Sequence, residues 1–316
     1  MKRQALVLIL LLAACVPARL SPAVPTIPAP TTSTAQARPR TFGYQLQGFD
    51  RPGALEALEE SRYDVLVVDD PGSLKDWGDF DTAAFVRRLH RRPGRVVLCY
   101  LDVGEAESYR AYWQAGWRVG SPGWIVAPDP DGWAENYPVQ FWQPEWKAIA
   151  RRMVTRAVEA GFDGMYLDWV EAYDFEPVAR AHPEAREAMV EFVLDLARQA
   201  RGLKPGFLVV PQNAAELVLH PDYLAGIDGL AVENIFYRGD PTNGRNDLPV
   251  DPSFRAERLP YMQRVAEAGK PVYTVDYATH PVHVAEAYEK NRALGFIPYV
   301  TTILLDRLSP NPPPGY

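Results

Sequence analysis

Short apolar runs alternate with amphipathic stretches through most of the chain. Eight runs have the composition of buried strands: "FGYQLQ", "DVLVVDD", "RVVLCYLD", "GMYLDW", "FLVVPQN", "GLAVENI", "PVYTVDY" and "FIPYVTT". Between most of them lie stretches of helical periodicity: "PGALEALEESR", "FDTAAFVRRLHRR", "PEWKAIARRMVTRAVEAG", "PEAREAMVEFVLDLARQARG", "PSFRAERLPYMQRVAEAG" and "PVHVAEAYEKNRALG". Several open on proline and several close on glycine, the asymmetry that helix ends prefer. Strands separated by helices must pair in parallel through crossovers, and eight such units point to an α/β fold closed as a (β/α)8 TIM barrel. The alternative is an open doubly wound sheet, which more often carries a glycine-rich phosphate loop after its first strand. "YQLQGFDRPG" lacks that G-x-G-x-x-G spacing.

The third unit is irregular. Between "CYLDVGEAESYR" and the helix at Pro144 lies a long insertion after the third strand carrying Trp113, Trp117, Trp124, Trp133 and Trp142. Long loops in compact domains are usually functional. Its rings, Trp124 among them, either stack on sugar faces or pack the insertion against the barrel rim.

The polar residues at the ends of the strands carry the candidate chemistry. Tyr44 and Gln47 lie on the first strand, Asp69 and Asp70 end the second, and Asp102 and Glu105 follow the third. Asp168 and Trp169 end the fourth, Gln212 and Asn213 the fifth, Glu233 and Asn234 the sixth; Asp276 lies on the seventh and Tyr299 on the eighth. In a barrel these ends converge on one mouth, where active sites of this fold are built. A lone aspartate at a strand end is readily a helix cap, and Asp70 fits that supporting role. Repetition over five strands favours a shared acidic cleft.

The five histidines, His90, His182, His220, His280 and His283, fall on predicted helices or just before them, which disfavours a multi-histidine metal hydrolase. There is no Gly-x-Ser-x-Gly elbow and no P-loop. Paired carboxylates remain, and they suit cleavage of a glycosidic bond: one protonates the leaving oxygen while the other attacks the anomeric carbon or activates water. Carboxylate-bound Mg²⁺ or Ca²⁺ is the competing chemistry. No cofactor and no metal are expected.

The residues then resemble a known family. "YQLQ", "CYLDVGEAESYR", "GFDGMYLDWVEAYDF", the "VEN" after a short strand and "VYTVDYA" are similar, in this order, to the endo-α-1,4-polygalactosaminidase family of glycoside hydrolases, over about Phe42 to Asp306. The resemblance implies a (β/α)8 fold and hydrolysis of α-1,4-linked galactosamine polymers. It also implies a catalytic pair formed by the aspartate of "YLDW" and the glutamate of "VEN", here Asp168 and Glu233. With Asp168 as nucleophile and Glu233 as general acid/base, Asp69, Asp102, Glu105 and Asp276 would shape the cleft and bind substrate, with Tyr44, Trp124, Trp169, Gln212, Asn213 and Tyr299 as further contacts. Two other readings stay open: a polysaccharide-binding surface lipoprotein without turnover, and a hydrolase of the same architecture acting on another glycan.

Composition changes the picture mainly at the N-terminus. "MKRQALVLILLLAAC" has a basic start and an apolar run from Ala5 to Ala14, the layout of a secretory signal and too short for a spanning helix, which needs about 20 residues. Leu12-Ala13-Ala14-Cys15 resembles the lipobox of bacterial lipoproteins, in which the cysteine becomes the lipidated first residue. Residues 1–15 are thus read as a lipoprotein signal peptide, 16–40 as a Pro/Ala/Thr-rich tether and 41–316 as the hydrolase-like domain, an exported protein held to the membrane by lipid. Cys99, inside "RVVLCYLDV", reads as a small buried hydrophobe. A net charge of -7 gives no reason to expect a nucleic-acid partner and suits a polysaccharide bearing protonated amines.

Overall fold

The computed structural model describes residues 39–313; the leader, Cys15 and nearly all of the tether lie outside the described residues. Each of the eight apolar runs forms a strand: β1 (Phe42–Gln45), β2 (Val65–Val68), β3 (Val96–Asp102), β6 (Gly164–Asp168), β7 (Leu208–Pro211), β8 (Leu230–Glu233), β11 (Val272–Tyr277) and β12 (Ile297–Thr301). The helices between them are α1 (Ala54–Glu60), α2 (Thr82–Leu89), α3 (Pro144–Ala160), α4 (Glu176–Ala181), α5 (Ala185–Leu203), α6 (Pro221–Gly226), α7 (Pro252–Glu267) and α8 (Pro281–Ala293). Two hairpins complete the order: β4 (Glu105–Glu107) with β5 (Asn136–Pro138), and β9 (Tyr237–Asp240) with β10 (Arg245–Pro249). The second hairpin and the short helices α4 and α6 have no counterpart in the sequence pattern.

The fold is α/β with parallel pairing throughout the main strands. They form a five-stranded sheet in the order β1-β2-β3-β6-β7 and a three-stranded sheet in the order β12-β11-β8. A parallel bridge at Gln212 and Ala231 continues the order from β7 to β8. At the other junction Leu46 and Gln47, just past β1, donate their backbone N–H groups to the carbonyl of Leu305. One uninterrupted ring of strands was expected; among the described residues no ladder runs from β12 to β1, and that from β7 to β8 is reduced to an isolated bridge.

Each seam carries a proline. Along β7, Val209 and Asn213 point their backbone groups at the β8 side, as the bonds Asp228 N–H to Val209 O and Asn213 N–H to Ala231 O show. Pro211 occupies the position between them and has no N–H to give. On β12, Thr301 faces β11 by accepting from Ala278 N–H, so Pro298 and Val300 face away from β11. Pro298 again lacks a donor, and the groups of Val300 are taken by the Tyr288 hydroxyl and by Ser309 Oγ.

The strands are buried on both faces, as parallel sheets require. Between them the packing is aromatic: the Phe42 ring lies 5.0 Å from Tyr273 and 5.7 Å from Tyr299, and Tyr44 lies 5.1 Å from Tyr166. Tyr299 is therefore a core residue, fully buried, its hydroxyl accepting from Ser309 N–H at 2.7 Å. That burial removes it from the substrate contacts expected of it. Below the sheets, buried Arg95 donates to the carbonyls of Leu58, Glu59 and Leu89 at the C-terminal ends of α1 and α2, where a cation is favoured.

The segment between β3 and α3 is pinned by its tryptophans. Trp113, Trp117, Trp124 and Trp146 of α3 form a row of rings with neighbouring centroids 5.0–5.5 Å apart. Trp124 is 5% exposed and donates its indole N–H to Glu145 at 2.7 Å, so it packs the segment onto α3 and offers no open ring face to a sugar. At Gly132 the segment meets the β9–β10 hairpin so closely that a Cβ would lie 2.4 Å from Thr242 Cγ2.

Gly164 sets the spacing of three strands, because it pairs with Leu98 on one side and Leu208 on the other. A Cβ there would lie 2.6 Å from both Cβ and the carbonyl oxygen of Leu208. Gly164→Ala is expected to cost about 1–3 kcal/mol by overpacking, read as a fall in Tm on thermal unfolding; an unchanged Tm would show that β6 and β7 can move apart freely.

Candidate active site

Asp168 is the last residue of β6, and the chain leaves it through Trp169 in the left-handed region (φ 54°). That turn brings Trp169 N–H onto Asp168 Oδ1 at 2.8 Å. Gln212 Nε2 donates to the same oxygen at 2.8 Å, and the Tyr100 hydroxyl donates to Oδ2 at 2.7 Å. The Gln212 amide is oriented in turn by the Tyr166 hydroxyl, which donates to its Oε1 at 2.5 Å. Glu233 ends β8; the Tyr277 hydroxyl donates to its Oε2 at 2.5 Å and its backbone N–H donates to Asn213 Oδ1 at 3.2 Å. Asn213, Ala214 and Asn234, after β7 and β8, share positive φ with Trp169. Such conformations cost roughly 1–3 kcal/mol each for residues other than glycine and gather where a site over-determines them.

Burial separates the members of this mouth. Asp168, Glu233, Trp169 and Glu171 keep part of their surface open, whereas Tyr44, Asp69, Asp102, Glu105, Gln212, Asn213 and Asp276 are buried. Asp168 is pushed up to about 7, first by burial and then by the charge of Glu233, against the hydrogen bonds from Tyr100 and Trp169. Glu233 is also raised by burial, opposed by its hydrogen bonds with Tyr277 and Asn213. Glu171 goes up to about 8, through burial and the nearby charge of Asp168. Tyr44, Tyr166 and Tyr277 are held well above the ordinary phenol range by burial, so they stay protonated. With burial and the charge of Glu233 raising Asp168, the site can carry a protonated and an ionised carboxylate together, the state in which one acts as acid and the other as nucleophile or base.

The remaining strand-end carboxylates support rather than face the opening. Asp69 is bound by Arg110 Nη1 at 2.6 Å, and the same guanidinium clasps Glu107 at 2.6 and 3.0 Å. Burial raises Asp69 to about 6 despite that cation. Asp70 accepts from the Thr82 hydroxyl and from Arg156, tying β2 to α2 and α3. Asp102 Oδ1 accepts from the N–H groups of Gly104 and Glu105, and buried Glu105 accepts from Asn136 of β5. Asp276 accepts from the N–H groups of Phe236 and Tyr237 and from Asn291, which fixes the start of the β9–β10 hairpin. Direct substrate contact expected of these four gives way to a scaffolding role, because their oxygens are enclosed. Tyr44, Gln212 and Asn213 are likewise enclosed, beside the carboxylates.

The strand pattern alone did not single out Tyr100, Tyr166, Tyr277, Glu171 or Arg110. Two of the three tyrosines carried a signal: "YLD" occurs at 100–102 and again at 166–168, and side chains two apart on a strand share a face. Glu171 lies on a single short 3-10 helix and Arg110 in irregular backbone, outside the strand and helix periodicities.

The family model for glycoside-hydrolase family GH114 matches residues 25–312. The chain belongs to that family. This GH114 chain is 38% identical to an uncharacterized protein of Deinococcus radiodurans over 299 residues, 94% of this chain and 92% of the relative. It is 30% identical to one of Thermotoga maritima, over 81% of this chain and 78% of the relative. Its fold is similar to the glycoside hydrolase domain of PelA from Pseudomonas aeruginosa (TM-score 0.65, 20% identity, 85% of this chain and 96% of that one). It is also similar to Aspergillus fumigatus Ega3, solved as a complex with galactosamine (TM-score 0.59, 14% identity, 85% and 94%).

Asp69, Asp168 and Glu171 hold protons more tightly in the GH114 fold than in the unfolded chain, where carboxylates titrate near about 4. Their contribution to stability is complete below that range and is lost as pH rises through about 6 to about 8. Thermal unfolding should therefore show Tm falling from pH 5 to pH 8, with a smaller fall in Asp168→Asn. An identical fall in both proteins would contradict the raised Asp168.

Proposed function

We propose that this protein is an endo-acting glycoside hydrolase of α-1,4-linked, galactosamine-containing polysaccharide, with Asp168 as nucleophile and Glu233 as general acid/base. The observation that carries the reading is that Asp168 and Glu233, at the ends of β6 and β8 on either side of β7, both stay partly open and are held by hydroxyl, amide and backbone groups, with the charge of Glu233 raising the proton affinity of Asp168. A carboxylate locked to a guanidinium, as Asp69 is, has its oxygens engaged and is not free to attack an anomeric carbon. Membership in GH114 and the likeness to PelA and to Ega3 with galactosamine support a polysaccharide of amino sugars. The acidic mouth suits protonated amines on such a polymer.

In the proposed reaction Glu233 gives its proton to the glycosidic oxygen as the bond from that oxygen to the anomeric carbon breaks, and Asp168 Oδ forms a bond to the anomeric carbon. Water then attacks the same carbon, its proton passing to Glu233, and the bond to Asp168 breaks. Three donors on Asp168 stabilise its anionic form before attack. We read the eight strands as a (β/α)8 barrel with seams at Pro211 and Pro298, and the Trp-rich insertion after β3 as one wall of the cleft. Residues 1–15 are read as a lipoprotein leader and 16–40 as a tether, with lipid on Cys15 holding the exported domain at the membrane. Loss of lipid labelling in Cys15→Ser is the expected outcome; persistent labelling would refute that assignment.

The activity is tested by oligosaccharide release from partly deacetylated α-1,4-galactosamine polymer. Asp168→Asn and Glu233→Gln are each expected to lower turnover by about 10²–10⁴-fold. Wild-type rates in either variant would remove that residue from the mechanism. Retained polymer binding without any product in the wild type would favour a binding lipoprotein, and turnover confined to another glycan would change the substrate alone.

A further inference from the structure

Glu171 stands on the 3-10 helix Val170–Asp174 that follows β6, outside the strand-end pattern. Its Oε1 accepts from Asn213 Nδ2 at 2.6 Å, while Asn213 Oδ1 accepts from the backbone N–H of Glu233 at 3.2 Å. Asn213 is thereby spanned: its amide donor goes to Glu171 and its amide acceptor to Glu233. A carboxamide has two unlike ends, and only an acceptor at the Glu171 position keeps its oxygen turned to Glu233. Asn213 also sits at φ 58°, a conformation that side-chain bonds of this kind sustain. Glu171 Oε2 is buried, and among the described residues no other residue donates to it.

We propose that Glu171 is a positioning residue, which locks the Asn213 carboxamide and through it the strand end that carries Glu233. This rests on the catalytic assignment of Glu233 made above. The groups facing Glu171 are Asp168 and Tyr166 from β6, Glu233 from β8, Tyr223 from α6 and Arg258 from α7. Burial and the Asp168 charge keep Glu171 protonated up to about pH 8. As a neutral acid it accepts through Oε1 without adding a third negative charge beside the pair. Above that pH its ionisation adds one, and turnover should decline.

The test compares wild type, Glu171→Ala, Glu171→Gln, Asn213→Ala and the double Ala variant on the same galactosamine polymer. Glu171→Ala and Asn213→Ala are each expected to lower kcat by about ten-fold, with KM within about three-fold. The double variant should be no slower than either single one, since both break one connection. Glu171→Gln should recover most of the loss, its carbonyl accepting the same bond, and its alkaline limb should differ from that of wild type. Wild-type kcat in Glu171→Ala, losses that multiply in the double variant, or superimposable pH profiles of wild type and Glu171→Gln would each overturn the proposal. If Glu171→Ala does not fold, Asn213→Ala and the Glu171→Gln pH profile decide. Full activity in Asp168→Asn and Glu233→Gln would instead overturn the catalytic pair, whereas inactive pair variants beside a wild-type Glu171→Ala would overturn positioning alone.

Discussion

In a mouth walled by Tyr44, Tyr166 and Tyr277, burial and the charge of Glu233 raise the proton affinity of Asp168, and the surroundings are arranged about that constraint. Among the described residues no guanidinium pairs with Asp168; the Tyr100 hydroxyl, the Gln212 amide and the Trp169 N–H take its place. Such donors stabilise the anion without neutralising it, and they leave its proton affinity raised. A cation in direct contact would have lowered that affinity.

The acid-rich mouth accordingly divides into two halves. On the β2–β3 side, Asp69 and Glu107 are held by Arg110, and Asp70 by Arg156. Removing one partner of such a buried pair costs about 3–5 kcal/mol; the enclosed Asp102 and Glu105 beside them are held instead by backbone N–H groups and by Asn136. On the β6–β8 side, Asp168, Glu171 and Glu233 meet hydroxyl and amide groups instead and keep raised proton affinities. Asp69 on the first side is raised as well, so both sides give up stability as pH rises.

Much of this was legible in the sequence, for identifiable reasons. All eight strands could be read because a strand buried on both faces is a short apolar run, and proline and glycine punctuate the helices between. Asp168 and Glu233 could be placed at strand ends because each closes such a run. Depth was not legible: the same spacing that brings Tyr299 and Asp276 toward the mouth leaves both enclosed, by Ser309 and by the β9–β10 hairpin. Nor was Trp124, since a tryptophan in a long loop has the same composition whether it meets a sugar or Trp117 and Trp146. Arg110 sits in irregular backbone and Glu171 on a short 3-10 helix, and their partners come from residues distant in the chain.

The seam at Pro211 links the backbone to the chemistry. Since Pro211 has no N–H, the pairing of β7 with β8 thins just where the strands approach the mouth. Ala231 still receives the backbone N–H of Asn213, so the next residue of β8 facing the same way is Glu233. Its N–H would ordinarily find a carbonyl on the neighbouring strand. Here the left-handed turn at Asn213 and Ala214 carries the main chain away, and the Asn213 side chain supplies the acceptor. A side-chain amide can be steered in a way a ladder carbonyl cannot, and the group that steers it is Glu171. The gap in the sheet thus gives the strand end bearing Glu233 a support that answers to the protonation of the mouth.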